Sequence, residues 1–461
     1  MGAALRGQRE PRPRRRRPEQ HLLPVLRDRG GRRRRPGRTA APGNRGLAHG
    51  PGTGHGGAGP VNTWRQTSPT GRALLVTVLL TGLTTFMFLP LLAVHLSSEG
   101  VPAGRVGFLV GLLAFCSQGF SLLCGLVVDR FGTRAVLASG FGLRIAGYAL
   151  LGAGTASATA VAGIAAIGIG GSLLGLAVKT RLVAEDGVPA RDMLALRSTF
   201  VNIGVIAGPA LGALVYPLGF GWILAACILS HLLLAIRLTL RPAAAATAPP
   251  QPDGGPAAPA PAAPAAADPA ARRRAVRQWV PLCLVGVAFW ALYSQLNVIL
   301  PIRAKEMTGS TAAISVVFTV NGLLVVLLQY TLLRHVFRQA TARTLLVVGF
   351  LAFAAAYALL IPLAGWSALL AFVLPVTLAE MLIAPSLDEQ AVQAGPLGRT
   401  GLALGAMSAA GAVGSLLGSS LGGFLLQTLH TGTGIWLVIV AVSVAAAASS
   451  LLLPKARMQH A

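Results

Sequence analysis

The chain is 461 residues long, 54% hydrophobic and only 11% charged, with a mean hydropathy of +0.66. These values exclude an ordinary soluble domain and fit a chain built mostly of bilayer-spanning helices. The net charge of +25 would point to nucleic acid, but its distribution along the chain points elsewhere.

Residues 1–60 carry fifteen Arg against Glu10, Glu19 and Asp28, close to half of that net charge. A segment so rich in Arg, Gly and Pro cannot bury a core and is expected to be disordered. Three origins compete: an arm for nucleic acid, a segment drawn to anionic lipid, or translated upstream sequence foreign to the native protein. The tail has no Lys, no aromatic residue to stack on bases and no apolar core of a signal peptide. The third origin is favoured, with Val61 as a GTG-encoded start, and no nucleic-acid partner is expected.

Runs of about 20 apolar residues mark spanning helices. Twelve are found, near 73–96, 106–128, 135–154, 159–180, 195–216, 220–240, 279–301, 312–333, 344–364, 367–386, 402–426 and 433–453. The connections after even-numbered spans hold most of the remaining Arg, including Arg130, Arg134, Arg181, Arg237 and Arg399, whereas the odd ones hold only Arg105, Arg303 and Lys305. By the positive-inside rule both termini are cytoplasmic, as expected of a multi-pass protein of the cell membrane. Cys116, Cys124, Cys227 and Cys283 all fall within the apolar runs, and Cys116 and Cys124 are separated by roughly 12 Å of helical rise, too far to bridge. The sequence has no phosphate-binding loop, nucleophile elbow or metal cluster, so an enzyme or primary pump is disfavoured and no cofactor is expected.

Between the second and third runs stands Gly125-Leu-Val-Val-Asp129-Arg130-Phe-Gly132-Thr-Arg134. Asp129 sits at the water boundary, where it can pair with Arg130 or Arg134 or face the positive end of another helix. Gly125 lets a neighbour approach and Gly132 permits a tight turn. This stretch resembles motif A of the major facilitator superfamily of transporters, which implies a conformational switch at the loop between the second and third helices.

In the third span, Arg144 lies near the middle of the run. The resemblance places that span on the outside of its half, which leaves Arg144 divided between a functional and a structural role. The fifth span carries Asn202, Gly204, Gly208, Pro209 and Gly212 and resembles motif C, found in many exporters of the superfamily. Two positions depart from that pattern, Ala195 and Ala213, and the arginine of motif B is missing from 165–175.

Residues 241–276 form an Ala/Pro-rich cytoplasmic linker. It joins two six-helix halves at 61–240 and 277–454, with a short cytoplasmic tail at 455–461. The seventh span presents Tyr293, Ser294, Gln295 and Asn297 beside Phe289 and Trp290, opposite Thr84, Thr85, Phe86 and Phe88 of the first. Such a lining suits a lipophilic or amphipathic solute better than a sugar. Glu380, in the tenth span, is the one carboxylate well inside a run. A charge there is costly, which suits a group that loads and unloads a proton. His95 and His231 read as interface and structural residues.

The halves repeat at an offset close to 210 residues. Leu89-Pro90-Leu91 matches Leu300-Pro301-Ile302, Gly111 matches Gly322, and Gly204, Gly208 and Gly212 match Gly414, Gly418 and Gly422. Glycines at four-residue spacing line one helix face and are expected to bring helices together where the halves meet. The expected fold is therefore an all-α membrane protein of twelve transmembrane helices in two pseudo-repeated halves. The expected function is proton-coupled export of a small lipophilic or amphipathic molecule by a monomer, with proton-coupled uptake as the alternative. Glu380, Arg144, Tyr293, Gln295 and Asn297 are the candidates for coupling or substrate binding.

Overall fold

A computed structural model of the chain describes residues 60–154, 158–185, 188–239, 269–337, 339–394, 400–429 and 431–453. The Arg-rich tail before residue 60, the linker up to residue 268 and the tail at 455–461 lie outside the described residues. In chain order the helices are α1 (Pro60–Gln66), α2 (Pro69–Ser98), α3 (Ala103–Gly119), α4 (Ser121–Ala153), α5 (Ala158–Val183), α6 (Ala190–Val215), α7 (Phe220–Thr239), α8 (Pro269–Tyr293), α9 (Ile299–Thr308), α10 (Ala312–Thr331), α11 (Ala342–Leu359), α12 (Gly365–Ala394), α13 (Thr400–Thr428) and α14 (Gly432–Ser450). Among the described residues there is no strand.

Among the described residues, eleven helical segments are long and apolar enough to cross a membrane, and Ala103–Gly119 is a shorter apolar helix. Two expected spans are not continuous. The second is divided at Phe120, whose φ of −84° and ψ of −2° keep the chain close to helical, so the crossing continues into α4. That helix is then interrupted at Gly132, with φ 76° and ψ 157°. A side chain would be strained in this conformation, so a glycine makes the turn into the third crossing. The seventh span breaks into α8, a 3₁₀ turn at Ser294–Leu296, and α9. Ser294 Oγ and Gln295 Nε2 both donate to Ala291 O, at 2.8 and 2.7 Å, occupying a carbonyl that an unbroken helix would use.

Many hydroxyls within the apolar helices are satisfied by their own helix. On α2, the hydroxyls of Thr77, Thr81 and Thr85 donate to carbonyls four residues earlier at 2.7–2.8 Å. Ser68 caps the same helix by accepting from Gly71 N at 3.0 Å, followed by Pro69, which has no donor to lose.

The two halves use equivalent pairings. α2 packs on α6 and α4 on α5 and α7, while α8 packs on α13 and α11 on α12 and α14. Between the halves α3 meets α13, and α10 meets α6. The matched glycine steps therefore do not lie where the halves meet, contrary to the sequence expectation. A methyl group at Gly204 or Gly208 would come 2.8 Å from backbone atoms of Leu83, and one at Gly212 2.7 Å from Met87 O, all on α2 of the same half. Likewise Gly414 and Gly418 press on Val287 and Ala291 of α8, and Gly422 on Gln295 just beyond it. The stripes bring together the first and fifth crossings within one half, and the seventh and eleventh within the other, and the repeat follows from that shared job.

Other small residues serve the contacts between halves. A methyl at Gly107 of α3 would come 2.9 Å from Gly423 Cα and collide with Ser419 O on α13, and one at Gly111 would come 2.9 Å from Leu416 O. Its repeat mate Gly322 plays the same part in α10 against Ile206 of α6, where Ser315 Oγ donates to Pro209 O at 2.5 Å. At the end bearing Pro102 and Ala304, one apolar core joins both halves through Leu91, Leu92, Leu109, Ile299 and Leu300. At the other end of α2, Leu74, Leu75 and Val78 belong to a separate core built from first-half helices alone. Leu214, Trp222, Leu284, Leu327 and Leu374 are more than half exposed, as lipid-facing side chains should be.

Candidate functional site

Between the halves lies a cavity of about 360 Å³. Its apolar wall includes Phe86, Phe88, Leu113, Ile167, Trp290 and Phe318. Its polar groups come from both halves: Thr85, Ser117, Gln118, Arg144 and Asn202 from the first, and Tyr293, Ser294, Asn297, Asn321, Glu380, Ser415 and Ser419 from the second.

Glu380 stands on α12 between Pro375 and Pro385, two residues that each remove a backbone donor from the helix. One carboxylate oxygen accepts from Tyr293 Oη at 3.1 Å and the other from Asn321 Nδ2 at 3.1 Å. Asn321 also donates to Thr377 Oγ1 at 3.0 Å, and Thr377 donates to Val373 O at 2.6 Å. Two helices, α8 and α10, thus hold the carboxylate of α12 through neutral donors, and Thr377 of α12 orients one of them. No cation pairs with it among the described residues.

Arg144 approaches from the opposite half. The outward position that the family resemblance implied for its span does not keep it from the centre: Arg144 lines the cavity. The glycines of α5 make this possible, since a methyl at Gly170 would come 2.8 Å from Arg144 Cγ. Arg144 Nη2 donates to Thr85 Oγ1 at 2.8 Å and to Tyr148 Oη at 2.6 Å, and the guanidinium carbon lies 5.6 Å from the centre of the Tyr148 ring. At the repeat offset Gly170 is the mate of Glu380, so where one half carries an acid the other leaves a gap that an arginine fills.

The remaining candidates divide. Tyr293, Asn297 and Asn202 line the cavity, and Asn297 Oδ1 is buried with no partner. Gln295 is turned away from it: its Nε2 donates to Ala291 O and to Gly418 O, at 2.7 and 2.8 Å, tying the broken seventh crossing to α13. Gly204, Gly208, Pro209 and Gly212 are buried packing positions. In the charged turn Gly132 reverses the chain, Arg130 is exposed with its guanidinium 5.8 Å from the Phe131 ring centre, and Arg134 is exposed. The side chain of Asp129 and the surroundings of Gly125 lie outside the described residues. His95 stacks on Phe220 at 4.0 Å, and His231 is buried with Nδ1 2.7 Å from Cys227 O.

Asn321, Thr377, Gln118 and Ser419 were missed from sequence. Each is a polar residue in an apolar run, and Asn321 sits beside the repeat-matched Gly322, which would have singled it out.

The family model described as Major Facilitator Superfamily matches residues 74–418, most of the chain, from the first crossing into the eleventh. The chain belongs to the Major Facilitator Superfamily. Among relatives, an MFS-type transporter of Mycobacterium tuberculosis is 32% identical over 136 residues, 29% of this chain and 32% of its own length. Multidrug resistance protein MdtH of Aeromonas hydrophila is 26% identical over 277 residues, 58% of this chain and 64% of its own. The match thus spans about a third of the first relative and under two thirds of the second. Among solved structures, an auto-inhibited POT family peptide transporter aligns with a TM-score of 0.68 at 14% identity, covering 84% of this chain and 96% of its own. A POT family transporter in complex with 5-aminolevulinic acid aligns with a TM-score of 0.66 at 13% identity, covering 83% and 95%. At such identities these two alignments show a shared fold alone.

Proposed function

We propose that this chain is a secondary active transporter of the cell membrane that exports a small lipophilic or amphipathic molecule in exchange for protons. It works as a monomer with both termini in the cytoplasm, by rocking one six-helix half against the other around the central cavity. The observation that carries this reading is Glu380: among the described residues it is the single carboxylate lining a cavity shared by the two halves, and it accepts from Tyr293 and Asn321 with no cation paired to it. A group so placed exchanges a proton with whichever side the cavity faces. The export direction is supported by the relatives named multidrug resistance protein in Aeromonas and Yersinia. A role for Asp129, Arg130 and Arg134 as the switch between the two states belongs to the same proposal.

The test uses inside-out vesicles with an acidic lumen and a pH-sensitive dye inside, challenged with a panel of amphipathic dyes. An exporter alkalinises the lumen as substrate enters and protons leave. Acidification on substrate addition would instead support proton-coupled uptake, and no coupled proton movement with any compound would contradict both.

A further inference from the structure

We propose that the cavity takes an amphipathic organic monoanion, with its acid group on the Arg144 guanidinium and its apolar body against Phe86, Phe88 and Phe318. This deepens the reading of the cavity as the transport site and rests on it.

Arg144 is only 6% exposed, its Nη2 donates to hydroxyls alone, and its Nε is buried with no partner. Among the described residues no carboxylate pairs with it. A guanidinium keeps its charge at any physiological pH, and burying a charge without a counter-charge is unfavourable. Hydroxyls orient it but do not neutralise it. Its planar fork matches a carboxylate in two parallel hydrogen bonds.

A second observation extends the argument along the path. Arg144, Thr85, Phe86 and Gly171 also line an adjoining cavity of about 160 Å³, whose further wall includes Arg197. Arg197 Nε is likewise buried without a partner, and none of the residues lining this second cavity is acidic. The two cavities together hold two arginines against the single carboxylate Glu380. They are positive overall whether or not Glu380 carries a proton, and one bound monoanion brings them to neutrality when Glu380 is ionised. A cationic solute would meet two guanidinium groups, and a neutral one would leave their charge uncompensated. Because the neutral loaded state contains ionised Glu380, anion and proton occupy the site in turn, as exchange requires.

The experiment compares three probes that share one ring system, 1-naphthaleneacetate, 1-naphthaleneacetamide and 2-(1-naphthyl)ethylammonium, on the full chain in lipid nanodiscs. Binding is read by calorimetry and by quenching of Trp290, which lines the cavity. The carboxylate is expected to bind about ten- to a hundredfold tighter than the amide, as a charge-assisted hydrogen bond implies, and the ammonium weakest. Arg144→Gln should abolish the preference while leaving amide binding in place, which also shows that the variant is folded. If that variant does not fold, Arg144→Lys decides: carboxylate affinity falls as the fork is lost, yet the carboxylate remains preferred over the ammonium. A wild-type chain that binds the carboxylate no tighter than the amide, or an Arg144 variant with unchanged carboxylate affinity, overturns the proposal. Accumulation of the amide driven by a pH gradient, with the carboxylate ignored, would overturn the anion class while leaving proton-coupled export standing.

Discussion

Gly107→Ala is the smallest change that should move the balance between the two states proposed for this protein. The new methyl would meet Gly423 Cα at 2.9 Å and collide with Ser419 O, both on α13 of the other half. These are backbone atoms, so relief requires α3 and α13 to separate at the end where both halves share a core. Overpacking of this kind costs about 1–3 kcal/mol. The opposite state, in which that end opens, does not bear the cost, so the equilibrium shifts toward it by roughly 5- to 150-fold. Gly142→Ala is the control, because nothing lies within 4 Å of the position its methyl would take. Spin labels at Glu99 and Thr431, both exposed near that end, would report the separation of the halves as a distance distribution in a cysteine-free background. A longer-distance population should grow in Gly107→Ala and stay unchanged in Gly142→Ala. Identical distributions in the two variants would refute the assignment of α3 and α13 as a seal between moving halves.

Asp129→Asn should leave the folded protein in the membrane but slow interconversion of the two states; accessibility probes on both faces with unchanged rates would count against a switch at this turn. Asn321→Ala removes the donor shared by Glu380 and Thr377 and should destabilise the protein by about 1–3 kcal/mol, read as a lower thermal unfolding midpoint, with coupled transport impaired as well. Gln295→Ala should destabilise by a similar amount, since Gly418 O loses its side-chain partner, yet leave substrate preference intact because Gln295 does not line the cavity. A changed preference would show that the broken seventh crossing transmits its shape to the site.

The legibility of this chain follows from what the bilayer demands of it. Every crossing needs a long apolar run, so the twelve spans and the all-helical class could be read from hydropathy, and Gly132 could be read as a turn because its conformation is one that only glycine adopts easily. The repeat was visible because equivalent helices in the two halves face equivalent neighbours. The partner of each glycine stripe was not visible: Gly204 and Gly418 show that an approach is close, but not whether the neighbour belongs to the same half. The breaks at Phe120 and Ser294–Leu296 escaped notice because no proline marks them, and at Ser294 the break arises from side chains competing for Ala291 O. Glu380 was legible as a lone acid in an apolar run. The place of Arg144 was not legible, because the resemblance put its span on the outside of its half, whereas in the structure Arg144 lines the central cavity past Gly170, a path set by small residues on another helix.

The central claim, that Glu380 carries the coupled proton, is tested most directly by comparing uphill transport with exchange in inside-out proteoliposomes. An acid lumen should drive accumulation of a dye identified in the panel, and collapse of the pH gradient should abolish it. Glu380→Gln keeps the shape of the side chain and removes titration. The account predicts that this variant still exchanges labelled for unlabelled substrate across the membrane, which needs no net proton movement, but no longer accumulates substrate in response to the pH gradient. Accumulation at the wild-type level by Glu380→Gln would contradict it.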